Sequence, residues 1–330
     1  MNRKIFQFHP QAKAIKEVLR KNGINALYHF TDIRNLSLIA RCGGLWSKEK
    51  LEQEGLLSQV ITGGDELSLN LDRGLGNWDK VHLYFCPHTP MAYIKQQEKH
   101  LCYLIIDPEV ALRSGVIFTD TNATRTTGGG HQREEGIKGL HHVDFEVIKE
   151  TLTQGPKPQD PRWHRNVQAE VLVPDEIPLR YIKEIAFISE ASLKEGKRLW
   201  GDIRYPSFRV IKELFTPGIP YLKSAILTDE EVNRNTLGQS FLDKRVFKIR
   251  QDLRIFLLLQ LYATANLKAK VVWKSVSEGN ILEKEAEFDK QSMWWHWSAL
   301  QAGNLKPGRY SVEYYLGDIH WITIPFILEV

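Results

Sequence analysis

The 330 residues are 42% apolar and 10% aromatic, with a formal charge of +4 and a pI near 8.8, which supports two globular domains and permits a polyanionic partner without demonstrating one. Cys42, Cys86 and Cys102 are odd in number and lack Cys-x-x-Cys spacing, so neither a disulfide framework nor a zinc site is indicated. With no signal-peptide core and no apolar run of bilayer length, the expectation is a cytoplasmic protein without a metal or a membrane partner.

Residues 9 to 22 set Ala12, Ile15, Val18 and Leu19 at three- and four-residue steps, with Gly23 behind them, and predict an amphipathic helix with a glycine stop. A strand over Leu27 to Phe30 follows, then a helix capped by Asp32 that carries Leu36, Leu38 and Ile39 and ends at Gly43-Gly44. His29 falls at that strand-to-helix junction, where side chains and amides converge on ligands; read alone it is a core histidine bonded to backbone. Gly55 to Trp78 reads as loop, with Arg73 just before a strand over Lys80 to Cys86. An arginine there is either a solvated charge or a planar grip on phosphate or carboxylate.

Pro87 and Pro90 end that strand, Met91 to Lys99 predicts a helix, and Leu101 to Asp107 is apolar enough for a central strand. A further strand at Val116-Ile-Phe118 runs into Thr121 to Glu135. That polar segment holds Gly128-Gly-Gly130 and has the composition of an active-site loop, but it lacks the Lys-Ser/Thr of a P-loop. Residues 154 to 165 form a proline-rich connection in which Arg162, Trp163, His164 and Arg165 set cations beside an aromatic ring. This suits a stacked nucleobase and its phosphate, and equally an amphipathic loop with its Trp tucked inward. It leads into Asn166-Val-Gln-Ala-Glu-Val-Leu-Val-Pro174, whose alternation predicts a strand. An ionised carboxylate inside a strand loses hydration unless it is paired, so Glu170 is either at an edge or present for its charge.

Ile177 to Ile188 supplies the last strands of this region, Ser189 to Lys197 is polar, and a connector with a short helical patch at Phe208 to Phe215 follows. From about residue 235 the pattern changes to strand-length segments separated by Gly, Asn, Asp or Pro: Arg245 to Ile249, Leu253 to Tyr262, Lys268 to Ser275, Ile281 to Phe288, Ser292 to Trp297, Arg309 to Leu316 and Ile319 to Val330. Short strands with regular turns predict an all-β immunoglobulin-like sandwich. Trp294, Trp295, Trp297 and Trp321 fit core packing better than a stacking surface.

Three segments occur in an informative order: Tyr28-His29-Phe30-Thr31 with Asn35, then Tyr84-Phe85-Cys-Pro87-His-Thr-Pro90-Met91, then Gln168-Ala-Glu170-Val-Leu-Val173. Over roughly the first 190 residues the chain resembles the DarT family of nucleic-acid ADP-ribosyltransferases. The resemblance implies an ADP-ribosyltransferase-like split β-sheet domain with flanking helices over 1–195; with a connector over 196–234 and the sandwich read from the strand pattern over 235–330, the expected fold is α+β. It implies NAD as co-substrate, Glu170 as the catalytic carboxylate, and Arg73 as the match to the family's essential arginine. His29, Thr31, Asn35, Tyr84 and Phe85 would contact the cofactor, with Tyr84 or Phe85 as an aromatic wall for nicotinamide. Arg125, His131, Arg133, Arg162, Trp163 and Arg165 are the expected nucleic-acid contacts, and Arg34, Arg125 and Arg133 are the next arginines should Arg73 not serve.

The acceptor implied is a base of single-stranded DNA or RNA, and the implied setting is a toxin–antitoxin or phage-defence pair with a cognate antitoxin protein. Two other classes stand beside this reading. One is a protein-modifying ADP-ribosyltransferase or an RNA phosphotransferase of similar fold; the other is a catalytically silent binding module.

Overall fold

The structure is a computed structural model and describes residues 7–63, 66–126, 131–263, 266–289 and 293–330. The chain clusters into two units, one from residues up to 96 with 101–187 and 199–216, the other from 97–100, 188–198 and 217–330.

In the first unit α1 (Ala12–Lys21) buries Ile15 and Leu19 and gives way to Gly23 at φ 71°. β1 (Leu27–Asp32) ends where the Asp32 carboxylate accepts the Arg34 amide; α2 (Leu36–Cys42) follows, closed by Gly43 in the left-handed region. Gly44 opens β2 (Gly44–Trp46), and a Cβ there would collide with the Ile177 carbonyl. The two glycines thus have different reasons, a left-handed turn and a close backbone approach. Next come α3 (Lys48–Gln53), α4 (Glu66–Gly74), β3 (Lys80–Tyr84), α5 (Pro90–Glu98), β4 (Leu101–Ile106), β5 (Ile117–Thr119) and β6 (Arg133–Glu135). Then follow α6 (Gly136–His142), α7 (Phe145–Gln154), α8 (Pro161–Asn166), β7 (Glu170–Pro174), β8 (Glu176–Pro178), β9 (Ile182–Phe187), α9 (Glu190–Trp200), of which residues 190–198 belong to the second unit, and β10 (Ser207–Val210).

Eight of these strands form one sheet in the order β10-β9-β4-β1-β3-β7-β5-β6, while β2 pairs with β8. β4 is buried at every residue except Ile105, as its apolar run requires. β1 pairs with β4 along its whole length, but it meets β3 only at Tyr28 opposite Tyr84. The sheet therefore splits between β1 and β3, and on the far side of the split β3 runs antiparallel to β7 with Tyr84 opposite Glu170.

Four local expectations are corrected. Arg73 lies in the last turn of helix α4, not in a loop. The proline-rich connection contains α8, because Pro161 takes the first helical position behind the Asp160 cap, where a missing amide costs nothing. The following turn, closed by Ala169 N to Asn166 O at 3.2 Å, delays the strand from Asn166 to Glu170. The patch at Phe208 is a strand, parallel to β9, with its ring stacked on Phe187 at 5.6 Å, and the polar stretch before it is helical from Glu190, in α9. α6 and α7 were not anticipated. Of the Gly-rich loop, Gly128, Gly129 and Gly130 lie outside the described residues.

The second unit contains β11 (Tyr221–Thr228), β12 (Val246–Lys248), β13 (Arg254–Tyr262), β14 (Leu267–Ser275), β15 (Gly279–Phe288), β16 (Trp294–Gln301), β17 (Gly308–Leu316) and β18 (Ile319–Glu329). They form a three-stranded sheet β11-β13-β16 and a five-stranded sheet β12-β18-β17-β14-β15. Trp273, fully buried, bridges the two by donating to Ser298 Oγ at 3.1 Å. Three of the four tryptophans pack inward: Trp321 is buried and stacks on His100 at 4.1 Å, while Trp295 and Trp297 pack on Val232, Phe256 and Leu258. The unit starts earlier than residue 235 because β11 pairs with β13, and it takes in α9 residues through Ser189 Oγ to Leu222 O at 2.5 Å and Thr323 N to Glu195 Oε2 at 3.1 Å.

Candidate active site

Glu170 is the first residue of β7 and is 1% exposed. Three elements hold it there. Its backbone amide donates to Thr119 Oγ1 at 3.1 Å, and Thr119 in turn donates to Thr121 O at 2.6 Å, which fastens the strand to the segment after β5. Oε1 accepts from the Ala123 amide at 3.3 Å, and Oε2 lies 2.6 Å from His82 Nδ1 on β3. A buried carboxylate with a donor on each oxygen is hydrogen-bonded as burial of charge demands. The Ala123 carbonyl accepts from Asn77 Nδ2 at 3.2 Å, and Leu75 O accepts from Arg133 Nη1 at 2.6 Å, so the turn before β3 and the loop after β5 secure each other beside the carboxylate.

Across the split, the His29 ring donates from Nδ1 to the His82 carbonyl at 2.9 Å, since a carbonyl can only accept. Burial lowers its pKa to about 4, against the opposing effect of that bond, with the His82 and Lys48 charges adding to the decrease. The ring is therefore neutral near pH 7, with Nε2 as an acceptor. Tyr84 is buried and stacks on Phe30 at 5.7 Å; burial, with the Glu170 and Asp72 charges, raises its phenol well above the ordinary range.

The other expected cofactor residues divide. Asn35 donates to Thr31 Oγ1 and to Ile61 O, both at 2.9 Å, and accepts from Ile61 N at 2.9 Å, so the Thr31–Asn35 pair pins the segment at residue 61. Phe85 is fully buried against Phe118 and Phe145, at ring distances of 6.5 and 5.5 Å, and is a core residue. It is not an aromatic wall, because successive residues of a strand face opposite ways and Tyr84 takes the Glu170 side. Arg73 donates to Glu52 Oε1 at 2.6 Å and lies over the Trp78 ring at 4.0 Å; its recorded partners do not include Glu170. Arg34 is held by its neighbour Asp32 through two bonds of 2.8 Å.

Of the expected nucleic-acid contacts, Arg165 bonds Asp120 Oδ2 at 2.6 Å, and its carbonyl accepts from Thr121 Oγ1 at 2.7 Å, which places it next to the loop that carries Ala123. Arg162 is half exposed, 3.7 Å from Asp144. Trp163 is buried, which settles the inward alternative for that ring. His131 donates from Nδ1 to the Arg125 carbonyl at 3.0 Å, and Arg133 serves the tie to Leu75.

Sequence reasoning missed His82. It stands two residues before Tyr84 and so shares its face of β3, and that period-two relation to a marked position was the available signal. Beyond it lies Asp72, whose Oδ1 is 3.7 Å from His82 Nε2 and whose Oδ2 is bonded by Lys48. Asp72 Oδ1, Asn77 Oδ1 and His82 Nε2 are buried without a hydrogen-bond partner, a concentration of unsatisfied polar atoms that fits a polar ligand site. Among the described residues no group of His, Cys, Asp and Glu could hold a metal ion, and no helix is long and apolar enough to cross a membrane.

The sheet thus splits between a neutral histidine and a tyrosine on two neighbouring strands, and a buried glutamate opens the next strand. The family model described as ssDNA thymidine ADP-ribosyltransferase, DarT, matches residues 28–205, and the chain belongs to the DarT family. It is an ADP-ribosyltransferase with NAD as its co-substrate. A DNA ADP-ribosyl transferase of Thermus sp. (strain 2.9) is 24% identical over 177 residues, 50% of this chain and 81% of the relative. Among solved structures, Thermus sp. 2.9 DarT in complex with ADP-ribosylated ssDNA aligns at TM-score 0.48 and 19% identity, over 64% of this chain and 100% of that one. The same DarT in complex with NAD+ gives 0.45 and 21%, over 58% and 98%. Thermosipho africanus DarTG in complex with ADP-ribose gives 0.45 and 20%, over 61% and 53%.

Proposed function

We propose that the protein transfers ADP-ribose from NAD to a base nitrogen of single-stranded DNA, with Glu170 as the catalytic carboxylate. The observation that carries this is the buried, doubly hydrogen-bonded Glu170 beside the split in the sheet. Breaking the nicotinamide–ribose bond leaves its electron pair on nicotinamide and positive character on the ribose, which the Glu170 carboxylate stabilises in a site with little water. The same carboxylate takes the proton of the attacking base nitrogen as the new C1′–N bond forms, so charge and protons balance without a metal. His29 Nε2 is suited to accept from a ribose hydroxyl, and the Tyr84–Phe30 pair offers an aromatic surface to a planar ring.

A base must be unstacked to be attacked, which favours a single strand. Arg165 and Arg162 are the cations we assign to its phosphates, with Arg73 kept as a candidate grip on the pyrophosphate. The test is mass spectrometry of DNA and RNA oligonucleotides incubated with NAD: an ADP-ribose adduct on DNA supports the reading, while an adduct on RNA or on protein alone contradicts it.

We further infer that the enzyme acts as the toxin of a toxin–antitoxin or phage-defence pair, and that the C-terminal sheets, taken as an immunoglobulin-like sandwich, dock a neutralising protein. Growth arrest on expression, relieved by a neighbouring gene product that binds residues 217–330, is the expected result.

A further inference from the structure

Glu170 has a partner whose chemistry the proposed mechanism has not used. His82 Nδ1 is 2.6 Å from Oε2, and the opposite ring nitrogen faces Asp72 Oδ1 at 3.7 Å. Asp72 is itself fixed by Lys48, which also lies over the Trp78 ring at 5.6 Å, and His82 sits on β3 two register positions from the Tyr84–Glu170 pair, on the same face of the strand. Neither His82 Nε2 nor Asp72 Oδ1 has a hydrogen-bond partner, although both are buried. A histidine bonded to a carboxylate through one nitrogen and facing a second carboxylate with the other is oriented by both.

We propose that His82 is the positioning residue of this site, fixing the Glu170 carboxylate through Nδ1 while Asp72, anchored by Lys48, sets the orientation of the imidazole. The inference rests on the reading of Glu170 as the catalytic carboxylate. His82 leaves Oε1, whose bond to Ala123 is the longer at 3.3 Å, as the oxygen that takes the base proton. The charged and titratable groups around the ring are Glu170 from β7, Asp72 from α4, Lys48 from α3, His29 from β1 and Tyr84 from β3. Of these, Glu170 alone is bonded to the ring, so loss of the imidazole acts first on the carboxylate.

The experiment compares His82→Ala, His82→Asn and His82→Gln with wild type and Glu170→Gln, measuring kcat and KM for NAD on one DNA oligonucleotide. An asparagine amide sets a donor near the place of Nδ1, whereas a glutamine amide reaches towards Nε2. His82→Ala is expected to lower kcat by about 10- to 100-fold with KM for NAD within about threefold. His82→Asn should recover most of kcat, and His82→Gln should not. Equal kcat in wild type and His82→Ala, or no rescue by asparagine, would each overturn the proposal. Should Glu170→Gln turn over as fast as wild type, the reading of Glu170 falls and this inference with it; a dead Glu170→Gln beside a fully active His82→Ala removes this inference alone.

Discussion

His29 makes the stability of the protein depend on pH in a calculable way. Burial lowers its pKa from 6.5 to about 4, so the native state resists a proton that the unfolded chain accepts. Its contribution is fully present above the unfolded value and is lost as pH falls through the window from about 6.5 to about 4, where the unfolded state binds more protons. The slope there is about 1.4 kcal/mol per pH unit, and at pH 5 the loss amounts to roughly 2 kcal/mol. This is an upper figure, because the ring is only partly buried. His29→Asn keeps a side-chain donor near the place of Nδ1 for the His82 carbonyl and removes the titration. Urea unfolding of the two proteins at about pH 7.5 and about pH 5 should show the wild type losing up to about 2 kcal/mol more than the variant over that interval. His296, lowered to about 4 by burial, leaves a common slope in both. A difference between the two proteins that stays the same at both pH values would refute the reasoning.

Three other outcomes follow from placement. Phe85→Ala should cost about 3–5 kcal/mol of stability by cavity formation, with any loss of NAD binding following from unfolding; calorimetry of a still-folded sample showing selectively lost NAD affinity would return Phe85 to the cofactor site. Replacing Arg162 and Arg165 together should reduce the slope of log affinity for single-stranded DNA against log salt by roughly 1.4, two phosphate contacts' worth, and identical slopes in a salt titration would point those arginines elsewhere. Cutting after Thr216 removes the partners of His100, Ser189 and Glu195, namely Trp321, Leu222 O and Thr323 N; the fragment should unfold at a lower temperature than the full chain, and an unchanged midpoint would show that these segments fold without them.

The sequence carried much of the architecture because its strongest signals were local. Gly43, Asp32 and the apolar run of β4 act within a few residues, and their elements appeared where expected. The C-terminal strands were equally legible from their alternation and turns. Errors arose where a local cue has two meanings. A proline-rich stretch suits a loop, yet Pro161 starts a helix, and the glycines around Arg73 conceal α4. β11 was absorbed into a connector because its partner, β13, lies far along the chain. At the site, Glu170 was visible as a carboxylate in an apolar stretch. His82 was not, since its importance depends on the β3–β7 register and on an aspartate from a separate helix, and neither is encoded by spacing. Tyr84 and Phe85 were offered together; the strand alternation assigns one to the site and the other to the core.

The account stands on Glu170, and its turnover is the measurement that bears on it most directly. Glu170→Gln preserves shape and removes the charge that acts on the developing ribose cation and takes the base proton. Steady-state transfer of ADP-ribose from NAD to a DNA oligonucleotide should fall by about 100- to 10,000-fold in kcat, with KM for NAD within a fewfold of wild type and the fold intact by circular dichroism. A folded Glu170→Gln protein that transfers ADP-ribose within a fewfold of the wild-type rate would contradict it.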